Sequence, residues 1–302
     1  MKPKIFIDGS EGTTGLQIYD RLGDRSDIEL LRIDESKRKD AGERKKLINA
    51  ADLVFLCLPD DAARESVSLI DNDRTRVIDA STAHRTHPDW VYGLPELSPE
   101  RRNLIRTSRR VANPGCHATG FILSVAPLLA SGIIQPDHPL TCVSLTGYSG
   151  AGKATIAEYD ERKTQQMCSP GMYALGLDHK HLPEMTAVTG LARAPIFCPI
   201  ICDYYKGMET TVTIHNDLLG KPVSTDGIRQ LLADSYAGQR HVSVAPELPG
   251  NVLYSNTMAG SDDLEIFVTG NDRQTLIIAR YDNLGKGAAG AAVQNMELML
   301  ER

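Results

Sequence analysis

Asn113-Pro114-Gly115-Cys116-His117-Ala118-Thr119-Gly120 sets a cysteine directly after a Pro-Gly turn and at the head of the apolar run Phe121-Ile122-Leu123-Ser124-Val125-Ala126. The turn residues impose a sharp bend, and the run that follows reads as a buried helix. Cys116 then stands at a helix N-terminus, where unpaired backbone N–H groups and the macrodipole favour an anion. A thiolate held there has a lowered pKa and is a competent nucleophile. The rival reading is a buried structural thiol, which is how the other five cysteines are read. His117 is expected to point away from the sulfur. A second reactive cluster comprises Tyr173 and then Asp178-His179-Lys180-His181-Leu182-Pro183-Glu184. Two histidines and a carboxylate beside a helix-starting proline are the groups that acid/base chemistry needs. If the helix begins near Pro183, His179 lies on the loop before it and is favoured as the acid/base; His181 is the alternative, with Glu184 orienting the substrate or the ring.

These groups need a frame. The first third of the chain alternates strand-like runs, Lys4–Asp8, Ile28–Asp34, Leu53–Leu58, Arg76–Ala80 and Arg110–Ala112, with helical patterns near Thr13–Leu22, Ala41–Ala50 and Asp61–Leu69. Such alternation argues for βαβ units and a parallel sheet. Within it, Gly9-Ser10-Glu11-Gly12-Thr13-Thr14-Gly15 follows the first strand and opens the first helix. Glycines there permit a tight turn and close approach of a pyrophosphate to the helix N-terminus. Asp34, at the end of the second strand, could accept from a ribose hydroxyl. Ser36, Lys37, Arg38 and Lys39 follow at once and offer donors suited to a 2′-phosphate, which favours NADPH. Arg85, after the Arg76–Ala80 strand, could clamp a carboxylate or phosphate.

Past Cys116 the rhythm changes. Leu140–Gly147 reads as a strand and Ala154–Met167 as an amphipathic helix. Phe197–Tyr204 and Met208–His215 read as adjacent strands joined around Lys206-Gly207, and Leu264–Thr269 and Thr275–Tyr281 as a hairpin turning at Gly270-Asn271-Asp272. Gly147–Lys153 lacks the spacing of a Walker A loop, yet a Gly-rich turn opening a helix can present N–H groups to an anion. Asp282–Met296 joins a Gly-rich turn to a helix of small residues. The fold expected is α/β. A Rossmann-type dinucleotide-binding domain spans residues 1–115, completed by a C-terminal helix, 285–302. An α+β catalytic and oligomerisation domain with a mixed sheet spans 116–284.

A net charge of −6 with no sustained Lys/Arg block excludes a nucleic-acid face, and no run is long and apolar enough to cross a membrane. The irregular spacing of the cysteines and histidines fits neither a disulfide framework nor a zinc site, so no metal is expected. With no signal-peptide pattern at the start, a cytoplasmic enzyme is the expectation.

The segments Gly9–Gly15, Asn113–Gly120, Ser149–Lys153, His179–Glu184 and above all Asp282–Met296 resemble, in their order and spacing over nearly the whole chain, the N-acetyl-gamma-glutamyl-phosphate reductases of the shorter type. These are related in fold to aspartate-semialdehyde dehydrogenase. The resemblance implies an NADPH-dependent step of arginine biosynthesis, in which an acyl phosphate is reduced to an aldehyde through a thioester on Cys116. It implies substrate contacts at Arg85, Asn113, Ser149, Lys153 and Glu184, and cofactor contacts at Gly9, Ser10, Gly12, Thr13, Thr14, Gly15, Ser36 and Arg38. Asn283, Lys286 and Gly287 would flank the same cofactor, and a homo-oligomer, dimer or tetramer, is expected. Before Arg85 the chain reads Ser-Thr-Ala-His where many longer-type members carry an Asp-Phe pair, which bears on the role of Arg85. Two alternatives stay open: an aspartate-semialdehyde dehydrogenase, and a non-catalytic dinucleotide-sensing regulator.

Overall fold

A computed structural model describes residues 2–10 and 12–301. Residue 11, inside the glycine-rich segment, and residues 1 and 302, the outer ends of the expected domains, lie outside the described residues. The chain divides into two units, Met1–Pro114 with Ala288–Arg302, and Gly115–Gly287. The division falls one residue before Cys116 and, at the far end, after Gly287 rather than before Gly285.

In chain order the first unit contributes β1 (Lys4–Asp8), α1 (Thr13–Leu22), β2 (Glu29–Leu31), α2 (Ala41–Ala50), β3 (Leu53–Leu56) and α3 (Asp60–Ser68). It continues with β4 (Arg76–Asp79), β5 (Val91–Tyr92), α4 (Pro99–Thr107) and β6 (Arg110–Ala112). The second holds α5 (Cys116–Ala130), β7 (Thr141–Gly147), α6 (Lys153–Glu161), β8 (Gly171–Met172), α7 (Leu182–Thr189) and β9 (Ile196–Cys202). After these come β10 (Met208–His215), α8 (Thr225–Ser235), β11 (Val242–Val244), β12 (Leu264–Gly270) and β13 (Gln274–Tyr281); α9 (Gly290–Leu300) then returns to the first unit.

The first unit is a six-stranded sheet in the order β2-β1-β3-β4-β6-β5, parallel at every pairing. Alternation along the strands feeds two cores. Ile5, Ile7, Phe55 and Ile78 meet Ile18 and Leu22 of α1 and Met296 and Met299 of α9 on one face. Phe6, Val54, Leu56 and Val77 meet Ile48 of α2 and Ala63 of α3 on the other. A parallel sheet covered on both faces explains why β3 is buried at all its positions. From β1 the order runs to β2 on one side and to β3 on the other, so the glycine-rich loop leaves β1 at a topological switch point, the edge where such sheets hold ligands.

The second unit is a seven-stranded mixed sheet, β11-β12-β13-β10-β7-β9-β8. The expected β12–β13 hairpin is present. The expectation that β9 and β10 are neighbours is not met, because β7 lies between them, parallel to β9 and antiparallel to β10. The connection between β9 and β10 steps over the end of β7 instead of turning back as a hairpin. The amides of Gly147, Tyr148 and Ser149 donate to the carbonyls of Gly207, Tyr204 and Tyr205 at 2.9, 3.0 and 3.1 Å. Crossing one strand means covering about 10 Å, within reach of this short loop. The expected helix 285–302 begins as a π-helical turn, Gly285–Ala289, before α9. Asp282 causes this: its carbonyl accepts from Gly287 N–H five residues on, at 3.0 Å, while its carboxylate accepts from Leu284 and Gly285 N–H at 2.7 and 3.1 Å.

Candidate active site

Cys116 is the first residue of α5, and Gly115 before it is extended and offers no side-chain cap. The first-turn amides therefore keep the partial positive charge that favours a thiolate. The turn is held by its neighbours within the second unit. Glu184, buried in the first turn of α7, accepts the Gly115 N–H on Oε2 at 3.0 Å. Tyr281, at the end of β13, donates its phenol to the Cys116 carbonyl at 2.6 Å and accepts from Gly120 N–H at 3.2 Å. It thereby bridges groups four residues apart, the spacing at which a regular helix pairs its own amide and carbonyl. Only glycine fits at 120, since a Cβ there would stand 2.7 Å from the phenol oxygen. Gly287 packs on Cys116 equally closely, a Cβ at 287 falling 2.9 Å from that of the cysteine.

The half-buried thiol opens on a cavity of about 370 Å³ whose wall includes His117, Tyr173, His179, Lys180 and Thr146. A larger hollow of about 1240 Å³ lies beside the β12–β13 turn, but no cysteine lines it and we do not place chemistry there. The cavity corrects one expectation: His117 does not turn away but shares the wall with Cys116. Its Nδ1 meets Ser144 Oγ and its Nε2 meets Tyr173 Oη, both at 2.7 Å. Burial first, then the neighbouring His179 and Lys180, lowers the His117 pKa to about 3, so the ring is neutral. Burial and the proximity of Cys116 push the Tyr173 phenol above its ordinary range.

His179 is half-buried in the cavity wall, whereas His181 is buried behind it, their rings 4.7 Å apart and nearly perpendicular. The His181 amide donates to His179 Nδ1 at 3.1 Å, so a neutral His179 carries its hydrogen on Nε2. Ser149 and Asn283 are brought together, but with each other: Asn283 Nδ2 donates to Ser149 Oγ at 2.9 Å and its Oδ1 accepts from Gly207 N–H at 3.0 Å. Lys286 is buried. Lys153 is exposed at the start of α6 and does not line the cavity, where Lys180 supplies the cation instead.

In the first unit Gly9 takes φ +86°, a left-handed conformation that glycine adopts without strain, and the loop enters α1 with Gly12 as its N-cap. Among the described residues the first turn of α1 has no acidic side chain, and the buried Thr13 hydroxyl has no hydrogen-bond partner. An orphaned hydroxyl at an uncapped helix N-terminus fits a pyrophosphate oxygen. After β2, Asp34 caps a short 3₁₀ turn by accepting from Ser36 N and Oγ at 2.9 and 2.6 Å, and exposed Arg38 stands 4.0 Å from Glu35. Arg85 braces its own loop, donating to the Asn113 and Ala80 carbonyls at 3.0 and 3.1 Å. Asn113 donates in turn to the Ala288 carbonyl at 3.0 Å. Among the described residues no group of three or more His, Cys, Asp or Glu could hold a metal ion.

Residues 116–283 match the family model for the semialdehyde dehydrogenase dimerisation domain, and residues 39–105 that for the semialdehyde dehydrogenase NAD binding domain. The same fold is seen in aspartate semialdehyde dehydrogenase II from Vibrio cholerae, with a TM-score of 0.74 at 16% identity, over 99% of this chain and 98% of that one. The two family matches place the chain among the oxidoreductases of the semialdehyde dehydrogenase class, and its two sheets have the fold of that class. Over 99% of its length the chain is 47% identical to N-acetyl-gamma-glutamyl-phosphate reductase 2 of Nostoc sp., covering 97% of that protein. It is 46% identical to N-acetyl-gamma-glutamyl-phosphate reductase of Sinorhizobium medicae, with 99% of each covered. The chain belongs to the N-acetyl-gamma-glutamyl-phosphate reductase family, which bears out the resemblance carried by the five segments.

Proposed function

We propose that this chain reduces N-acetyl-gamma-glutamyl phosphate to N-acetylglutamate semialdehyde with NADPH, releasing phosphate, as a step of arginine biosynthesis. The observation that carries the reading is Cys116 at the uncapped start of α5, sharing a cavity with His179. The Cys116 thiolate attacks the acyl carbon; the C–S bond forms, the C–O bond to phosphate breaks, and phosphate leaves. NADPH, when bound, would supply the hydride that takes the resulting thioester to the aldehyde level. First-turn N–H groups of α5 stabilise the oxyanion, and collapse of the thiohemiacetal returns the thiolate. His179 moves the proton; with the His181 amide donating to Nδ1, its Nε2 faces the reaction as a hydrogen-bond donor when the ring is neutral, and proton transfer through Nδ1 requires that amide contact to open. His181 is the alternative, and pH–rate profiles of His179→Asn and His181→Asn separate them, since loss of the true acid/base removes one limb.

Cys116→Ser abolishes turnover in a phosphate-dependent assay with N-acetylglutamate semialdehyde and NADP, while leaving NADPH binding intact; substantial remaining activity defeats the thioester route. The same assay with aspartate semialdehyde tests the aspartate-semialdehyde alternative. In the cofactor unit the glycine-rich loop, Gly9 to Gly15, would take the pyrophosphate, with Thr13 as its hydroxyl donor, and Ser36 and Arg38 the 2′-phosphate. Replacing Arg38 with Ala weakens NADPH relative to NADH by about 1.5–3 kcal/mol, measured by titrating both; equal weakening removes Arg38 from that role. Lys180, in the cavity wall, is the cation we assign to an anionic group of the substrate, with Lys153 and Arg85 as the further candidates. We further propose a homo-oligomer, dimer or tetramer, in solution. The dimerisation-domain match and the half-exposed apolar residues Val143, Leu145 and Ile200 on one face of the β7–β9 region support it; light scattering tests it. A free-thiol nucleophile suits the reducing cytoplasm, the location we assign.

A further inference from the structure

Behind the thiol cavity runs an unbroken chain of hydrogen bonds whose direction is fixed at one end. A backbone carbonyl only accepts, so the 2.6 Å contact from Tyr281 Oη to the Cys116 carbonyl uses the phenol's single hydrogen. Thr210 Oγ1, 3.0 Å from that phenol oxygen, therefore donates into it. With the threonine hydrogen committed, Ser144 Oγ donates to Thr210 across 3.0 Å. With the serine hydrogen committed in turn, the 2.7 Å contact between Ser144 Oγ and His117 Nδ1 has the imidazole as donor. The neutral ring then carries a lone pair on Nε2, and Tyr173 Oη donates to it at 2.7 Å. Tyr173, in the wall beside Cys116, is left with lone pairs alone to offer. Ser144, Thr210 and Tyr281 are all buried, so no water competes for their hydrogens. The chain cannot relay protons to the thiol, because it ends on a carbonyl that does not take one. Its effect is polarity.

We propose that Tyr281, Thr210 and Ser144 are positioning residues that fix His117 as the Nδ1–H tautomer and thereby make Tyr173 an acceptor-only binding group for an N–H donor of the substrate. On the function proposed above, that donor is the acetamido N–H, since the carboxylate and acyl phosphate of the substrate bring acceptors. The identity of the donor rests on that reading; the polarity of the chain does not.

The full-length protein labelled with ¹⁵N-histidine tests the polarity directly, the His117 signal being assigned by its loss in His117→Gln. Two- and three-bond couplings to the ring protons should show a neutral Nδ1–H ring at pH 7, and a shift toward the Nε2–H tautomer in Ser144→Ala and Tyr281→Phe. An Nε2–H ring or an imidazolium in the unaltered protein overturns the proposal. The second arm compares N-acetylglutamate semialdehyde with its N-methyl analogue, using NADP and phosphate. Removing the N–H should raise KM roughly tenfold, the worth of one neutral hydrogen bond. Ser144→Ala should bring the ratio of the two KM values toward one. Equal KM values in the unaltered protein overturn the substrate contact. Absence of turnover with either compound would defeat the catalytic reading instead, and the tautomer measurement would still decide the polarity.

Discussion

In the first unit the buried polar groups at the end of β1 are ionic: Arg44 of α2 meets Asp8 at 3.1 Å and also the Ser66 hydroxyl of α3, and Ser66 Oγ donates to Asp8 at 2.7 Å. Arg44 and Asp8 are 7% and 4% exposed, and the glycine-rich loop departs from Asp8. In the second unit the group behind Cys116 is neutral, five side chains linked through single hydrogens. The two hold their loops by different physics. A carboxylate accepts from any donor within reach, so the ionic group has strength without direction, and losing one partner strands a charge. A row of hydroxyls has little strength per link but carries a sense, and losing one member lets the sense reverse.

The most severe way to break the comparison is Asp8→Ala, which leaves Arg44 buried with Glu65 as its remaining acid, 3.1 Å away. We expect a loss of about 3 kcal/mol in denaturant unfolding, with most of it recovered when Arg44→Met is added. If the double variant is no better than the single, charge is not what holds the loop. The next effect is a pH dependence confined to the neutral group. His117 has its pKa lowered from 6.5 to about 3 in the folded state, so its contribution is whole above pH 6.5 and is lost as the pH falls toward 3. Between pH 7 and pH 5 the unaltered protein should lose about 2 kcal/mol more than His117→Gln; parallel curves would mean the folded ring accepts a proton readily. The smallest effect is Tyr281→Phe, about 1 kcal/mol by thermal or denaturant unfolding, since shape is kept and one bridging hydroxyl goes. A cost as large as that of Asp8→Ala would erase the distinction.

Much of this was legible in the residues. Helices Thr13–Leu22 and Ala41–Ala50 and strands Lys4–Asp8 and Arg110–Ala112 stand where periodicity predicts them, because parallel strands and their covering helices carry a strong local signal. The cysteine at the head of α5 was legible for the same reason, being set by a turn and an apolar run. Helices α4 and α8 were not read, although Ser98 and Ser224 cap them by accepting from Arg101 and Gly227 N–H at 3.1 Å each. Both are serine N-caps, a start signal that the sequence itself carries. The insertion of β7 between β9 and β10 and the chain from Tyr173 to Tyr281 left no local trace. They join residues distant in sequence, and Ser144 and Thr210 look like ordinary strand residues until register places them side by side. The π-helical turn at Gly285–Ala289 hides equally well, its cause being the carboxylate and carbonyl of a single aspartate.

The way the chain leaves its first unit and comes back has a consequence for assembly. Asn113 donates to the carbonyl of Ala288, 175 positions downstream, and Met296 and Met299 close a core begun by Ile5 and Ile7. The phenol that clamps the Cys116 carbonyl lies 165 positions after it. On a ribosome, synthesis proceeds from the N-terminus at a few to some tens of residues per second. The nascent chain therefore holds, for many seconds, a parallel sheet with one face covered by α1 but not yet by α9, and carries a nucleophile with an unclamped first turn throughout. Contacts of such long separation also slow refolding, because loop closure must precede their reward. Completion of the fold and alignment of the thiol are late, coincident events, so a truncated or stalled chain holds the cysteine without the means to aim it.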